Sequence, residues 1–297
     1  MTKIKFFSDN SDLKGKTVLL RLDLNVPIKN KIILDDTRIM LCLPFINKLI
    51  EKRAKIIIIS HLGRPKGIKD PSLSLLPVYK YLKKKLRTNV YFFLGNFDNE
   101  LNDKFSYLKE GDVIIIENIR FYKEEEDNDN DFSKQLASLG DIFVNDAFSC
   151  SHRTHASISE ITKFLPSYAG LQLEIEINAL KKVTKDIKKP TTCIIGGSKI
   201  STKIQLIKNL IPKFDNIIIV GGMANNILKY KGHPIGNSLR EINCDAIISD
   251  IFKLSKNHSC SIVFPQDVVV GKTNDGNAKI KQLNQVSNDD LILDIGP

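Results

Sequence analysis

Arginine and histidine are scarce in this chain, and they fall in a few short stretches. Among 297 residues there are 8 arginines against 36 lysines, and 5 histidines. RLDLN carries Arg21, Asp23 and Asn25; DDTRI carries Arg38; SHLGRP carries His61 and Arg64. ENIRF carries Asn118 and Arg120, and NDAFSCSHRTH carries Asn145, Asp146, His152, Arg153 and His155. A turn at SHLGRP needs its glycine and proline but has no use for His61 or Arg64. Lysine serves solubility, whereas the planar, permanently charged guanidinium is used to grip carboxylate or phosphate through paired N–H bonds. Five of eight arginines and three of five histidines on one rim therefore imply a pocket for a small, multiply charged anion. The plainer alternative is a set of separate ion pairs with Asp23, Asp36 and Asp146.

The second half offers a different device. Gly196 and Gly197 stand between a strand and a helix, where glycine lets the backbone approach a phosphate. Lys199 and Lys203 follow four apart, which places them on one face of the first two helical turns. Gly221 and Gly222 repeat the strand-glycine-helix order. Neither stretch is GxxxxGK[ST] or GxGxxG. Lysines at a helix start oppose the macrodipole unless an anion lies there, and plain surface solubility is the competing reading. An arginine-lined anion pocket facing a glycine-lysine phosphate loop suits phosphoryl transfer, in which catalysis is chiefly positioning and cation stabilisation.

The elements that must position these residues follow an α/β rhythm. KTVLLRLDL, KIIIIS, NVYFF, DVIIIENIRF and DIFVNDAF read as strands, apolar enough for a sheet buried on both faces. DTRIMLCLPFINKLIEK places Ile39, Leu43, Ile46 and Ile50 on one helical face. SLLPVYKYLKKKL, DNELNDKFSYL and DFSKQLASLG complete the helices of the first half, and EEEDNDND reads as a solvated loop. Alternation in this order implies a parallel sheet, with ligands outside the carboxyl ends of its strands. Residues 169–189 read as a long helix connecting two domains, 1–168 and 190–297. Beyond it come TTCIIGG, a helix over SKISTKIQLIKNLI, NIIIVGG, MANNILKYKG, a helix near 241–256, SIVFPQDVVV and LILDIGP. The expected fold is two Rossmann-like domains with parallel sheets joined by a hinge helix, the second incomplete.

Composition narrows the classes. The chain is 42% hydrophobic and 26% charged, with net charge +10. The excess is lysine on exposed helices and loops, with no basic tail and no aromatic-interleaved RNA motif, which argues against nucleic acid. No apolar run reaches the length of a membrane span, and MTKIKFFSDN lacks the apolar core of a secretory signal. Five scattered cysteines without CxxC spacing read as free thiols of a reducing cytoplasm. No metal-ligand cluster of Cys or His is visible.

RLDLNVP, DDTRI, SHLGRPKG, ENIRF, NDAFSCSHRTHAS, LPSYAG, GGSKISTKI, GGMAN, PQDVVV and DIGP together resemble the phosphoglycerate kinase family, in its order and essentially from end to end. The resemblance implies reversible phosphoryl transfer between 1,3-bisphosphoglycerate with ADP and 3-phosphoglycerate with ATP, by a cytoplasmic monomer using Mg²⁺. It assigns Asp23, Asn25, Arg38, His61, Arg64, Arg120, His152 and Arg153 to the triose acid. Gly197, Ser198, Lys199, Lys203, Gly221 and Gly222 are assigned to the nucleotide, with Arg38 and Lys199 as the cations on the transferring group. Acyl-phosphate chemistry needs no protein nucleophile, and no Ser-His-Asp or Cys-His arrangement is present. Two departures stand out. Val220 replaces the first of three glycines, and the family pattern continues past DIGP to the residues expected to complete the nucleotide pocket and ligate the metal. The alternative expectation is a chain that binds 3-phosphoglycerate without turnover.

Overall fold

The computed structural model describes residues 4–8, 11–95, 105–185, 187–272 and 277–297. These divide into two compact units, Met1–Leu180 and Lys181–Pro297.

The first unit is built on strands β1 (Thr17–Arg21), β2 (Ile28–Lys29), β3 (Ile32–Ile33), β4 (Lys55–Ile59), β5 (Val90–Phe93), β6 (Val113–Ile116), β7 (Ile142–Asn145) and β8 (Ser167–Ala169). Six of them form one sheet in the order β5-β6-β4-β1-β7-β8, and every pairing is parallel. Because strand side chains alternate, the sheet feeds two cores. Val18, Leu20, Ile56, Ile58, Val113 and Ile115 pack into one; Leu19, Ile57, Ile59, Ile114 and Ile116 pack into the other. Isoleucine-rich strands buried on both faces are what a parallel sheet requires. The chain leaves β1 toward β4 and later returns to β7 on its other side, so β1 marks the switch point where such sheets bind ligands. In register, Arg21 lies opposite Ile59 and Asn145, which brings the loops after β1, β4 and β7 to one edge.

The helix Thr37–Glu51 buries Ile39, Cys42, Phe45, Ile46 and Leu49. Asp35 Oδ1 accepts from the Thr37 N–H at 2.9 Å, and the Tyr81 hydroxyl donates to Asp36 Oδ2 at 2.5 Å. Arg38 thus sits in the exposed first turn of a helix whose start is fixed. The helix Leu171–Thr184 runs through most of the 169–189 stretch.

The second unit contains β9 (Thr192–Gly196), β10 (Asn216–Val220), β11 (Ser261–Val263), β12 (Asp267–Gly271), β13 (Lys279–Gln282) and β14 (Leu291–Ile295). A parallel sheet of order β11-β10-β9 carries helices Ile204–Leu210, Gly222–Tyr230 and Asp245–Asn257, around a core that includes Ile207, Ile217, Ile219, Ile227, Ile248 and Ile251. Strands β13-β12-β14 form a separate antiparallel sheet over Leu228, Ile235, Val268, Val270 and Leu283.

The structure adds two details and changes two expectations. SIVFPQDVVV is two strands in two sheets, because Pro265 breaks the run. Parallel strands alone do not account for the second unit, which adds the antiparallel sheet. Residues 198–211 are not one helix. They form a loop, a 3₁₀ turn Ser201–Lys203 and the seven-residue helix Ile204–Leu210. Finally, EEEDNDND is no solvated loop throughout: Lys123–Glu126 is a helical turn, and Glu125 is wholly buried. The helix expected over DNELNDKFSYL lies for the most part outside the described residues.

Candidate functional site

At the carboxyl edge of the first sheet, the loop after β1 is stitched to the loop after β4. The Ser60 hydroxyl donates to Leu22 O at 2.8 Å and accepts from Leu24 N at 3.0 Å. Asn25 Oδ1 accepts from the Gly63 N–H at 3.0 Å. Gly63 has φ of 62°, where a side chain is strained, and a Cβ there would push Leu73 Cδ2, 2.7 Å away, so glycine suits this turn. Asp23 takes three donors: Arg38 NH1 at 3.0 and 2.9 Å, the Asn25 N–H at 3.2 Å, and the Ser149 hydroxyl at 2.6 Å. Arg38 NH1 also donates to Asn25 O at 3.2 Å. Among the described residues a single nitrogen is thereby engaged, and the guanidinium is half exposed.

Arg120 is a buried cation with part of its fork unanswered. It is 2% exposed. Its NH1 donates to Gly63 O at 2.8 Å, yet Nε and NH2 are buried without a hydrogen-bond partner among the described residues. The nearest carboxylate, Glu126, stands 3.7 Å from Nε. Burial pulls this guanidinium below the ordinary arginine range, with Arg153 and Arg21 adding to the effect. Unanswered N–H groups on a buried cation are costly, and anion oxygens are their natural partners.

His61 is 4% exposed. Its Nδ1 lies 3.3 Å from Arg21 NH2, and both ring nitrogens lie 3.8 Å from Cys150 Sγ. Burial, then the charges of Arg21, Arg120 and Arg153, push its pKa down to about 2, so the ring is neutral at working pH. Arg153 is half-buried and acts electrostatically on both His61 and Arg120. The structure thus brings together Asp23, Asn25, Arg38, His61, Arg120 and Arg153. Arg64 and His152 are exposed on the same two loops.

Three rim residues do something other than face a ligand. Arg21 is fully buried, with Nε donating to the Ser157 hydroxyl at 3.0 Å and NH1 to Leu22 O at 2.7 Å. Asn118 clamps the loops through Leu62 O and Leu73 O at 2.7 and 2.9 Å. His155 packs against Glu125, Nδ1 to Oε1 at 3.7 Å. Sequence reasoning missed Ser149, Ser157 and Glu125. The serines carry no pattern, and an acidic run reads as solvated by default.

In the second unit the glycine stretches cross. The Met223 N–H donates to Gly197 O at 2.9 Å. Gly221 has φ of 68°, and a Cβ on Gly222 would lie 3.1 Å from Ser198 O. A Cβ on Gly196 would meet Val220 Cγ2 at 3.0 Å, so the valine fills the space above that glycine. Lys199 lies in the exposed loop before the 3₁₀ turn and Lys203 at its end, so the two do not share the face of one regular helix. The cause is long-range: Glu241 accepts from the Ser201 hydroxyl at 2.5 Å and from its N–H at 3.1 Å, pinning the turn. The Lys199 charge in turn helps hold the Glu241 carboxyl below its usual range, after the Ser201 hydrogen bonds.

The model of the phosphoglycerate kinase family matches residues 8–297. Phosphoglycerate kinase of Wolbachia sp. subsp. Brugia malayi is 47% identical over 290 residues, which covers 97% of this chain and 72% of that protein. That of Dictyoglomus turgidum is 45% identical over 290 residues, covering 97% and 73%. Among solved structures, phosphoglycerate kinase from Coxiella burnetii superposes with a TM-score of 0.83 at 38% identity, covering 97% of this chain and 73% of that one. The enzyme from Pyrococcus horikoshii gives 0.79 at 26%, covering 98% and 75%. With sequence, fold and motif order in agreement, the chain belongs to the phosphoglycerate kinase family.

Proposed function

We propose that the basin formed by Asp23, Asn25, Arg38, His61, Arg64, Arg120, His152 and Arg153 binds 3-phosphoglycerate. The loops with Gly197, Ser198, Lys199, Lys203, Gly221 and Gly222 take ATP or ADP. The reaction is that of the family: a carboxylate oxygen of 3-phosphoglycerate bonds to the γ-phosphorus of ATP as the bond to ADP breaks, and 1,3-bisphosphoglycerate forms. The observation that carries the acid-binding half is Arg120, whose buried nitrogens lack acceptors beside Arg153 and a neutral His61. A family match over both units favours the kinase over a module that only binds the triose acid.

Arg38 and Lys199 are the cations for the transferring group, where charge on the equatorial oxygens develops. Arg38 suits this role because Asp23 orients it through one nitrogen and leaves the rest of the fork open. Mg²⁺ neutralises phosphate charge when it accompanies the nucleotide. Among the described residues no group of three His, Cys, Asp or Glu is placed to ligate a metal. Residues 1–168 and 190–297 act as the acid and nucleotide domains, with 169–189 as the hinge. Five unpaired cysteines support a reducing cytoplasm, and among the described residues no helix is long and apolar enough to cross a membrane. The working state is a monomer.

Arg38→Ala and Lys199→Ala test the assignment. Turnover is expected to fall about 100-fold or more, while calorimetric affinity for 3-phosphoglycerate or nucleotide changes less than about 10-fold. Turnover comparable to the parent chain removes the residue from the mechanism.

A further inference from the structure

Behind the acid-binding basin a buried polar chain leads back from His61 to residues that do not themselves line the basin. Glu125 is 0% exposed, Ser157 0%, Arg21 0% and His61 4%. Glu125 Oε1 accepts from the Ser157 hydroxyl at 2.7 Å, and Oε2 accepts from the Ser157 N–H at 2.8 Å. The same hydroxyl accepts from Arg21 Nε at 3.0 Å, and Arg21 NH2 lies 3.3 Å from His61 Nδ1.

The direction of every bond in this chain is fixed by chemistry. A carboxylate only accepts and a guanidinium only donates, so the serine proton must point to Glu125 and its lone pair to Arg21. At the far end, Arg21 NH2 can bond His61 only if Nδ1 presents a lone pair. The ring proton is then on Nε2. With all four groups out of water, solvent cannot substitute for a missing member.

We propose that Glu125 and Ser157 are positioning residues for the acid-binding basin: acting through Arg21, they hold His61 as the neutral Nε2–H tautomer, so that it donates to an oxygen of the bound triose acid. The inference rests on the reading of that basin as the 3-phosphoglycerate site. The carboxylate-serine-guanidinium order lets a buried glutamate balance Arg21 without reaching the histidine, so His61 stays uncharged among cations and still offers an N–H.

Long-range ¹H–¹⁵N correlation on ¹⁵N-histidine-labelled protein reads the tautomer directly. The parent chain should show His61 with its proton on Nε2; a proton on Nδ1, or a doubly protonated ring at neutral pH, overturns the proposal even if no variant folds. Ser157→Ala should mix the two tautomers and weaken 3-phosphoglycerate binding about 10-fold, with ATP affinity unchanged. Ser157→Thr keeps the hydroxyl and should restore both. In a His61→Gln background the Ser157→Ala effect on binding should vanish. An unchanged tautomer in Ser157→Ala, or an equal loss of binding with and without His61, refutes the positioning role. The site reading fails separately, if His61→Gln and Arg153→Ala leave 3-phosphoglycerate binding as it was.

Discussion

Arg21 ends an apolar strand and Arg120 lies in the 3₁₀ turn just beyond another; both are buried, but their surroundings differ. Arg21 gives its N–H groups to Ser157, Leu22 and His61, whereas Arg120 leaves Nε and NH2 without acceptors among the described residues. A buried cation held ready for a ligand stabilises nothing while it waits. Arg120→Met keeps the packed stem and removes the charge. Its midpoint of thermal unfolding should equal or exceed that of the parent, while affinity for 3-phosphoglycerate falls about 100-fold. A lower midpoint with unchanged affinity, by scanning calorimetry and titration, would make Arg120 a structural residue. The scarcity of guanidinium pointed to both arginines but could not separate them, since hydrogen-bond partners 136 residues apart leave no local trace. The same holds for Glu125, whose neighbours Glu124, Glu126 and Asp127 made a solvated run the simplest reading.

The junction of β7 with the helix Leu171–Thr184 depends on one carboxyl. Asp146 Oδ1 accepts from the Leu173 N–H at 3.0 Å, while Oδ2 is buried without a hydrogen-bond partner among the described residues. Gly170 allows the approach, since a Cβ there would lie 2.6 Å from Oδ1. Burial pushes the Asp146 pKa up to about 6, against the lowering pull of the Leu173 and Gln172 N–H groups. A carboxyl with a raised folded-state pKa holds its proton more tightly when folded. Its stabilising contribution is therefore complete below about pH 4 and lost as pH rises through about 6. Asp146→Asn should be more stable than the parent at pH 8, by about 1–3 kcal/mol. Urea midpoints should show the gap closing as pH falls to about 4; a gap that is constant with pH rejects the argument. Most strands and helices were legible from apolar runs and helical spacing. The turn at Ser201 was not, because the carboxylate that pins it is supplied by Glu241, 40 residues on.

Two α/β units were readable from the alternation of segments, and their positions along the chain follow the motif order. The antiparallel sheet of the second unit was not. Its strand β13 is mostly exposed, so the pattern of burial that reveals a strand is faint there. The two sheets also differ in how far water can reach them. Strand β1 is paired on both edges and covered on both faces, and Val18, Leu19 and Leu20 are all 0% exposed. Its amides can trade hydrogen for deuterium only when the whole first unit opens. Among the described residues, strand β13 pairs with β12 alone and faces solvent for most of its length. In a deuterium time course, β13 should label orders of magnitude sooner than β1. The floor beneath the arginine basin is then a far slower clock than the edge of the second sheet, so a ligand that binds there inherits a scaffold already still.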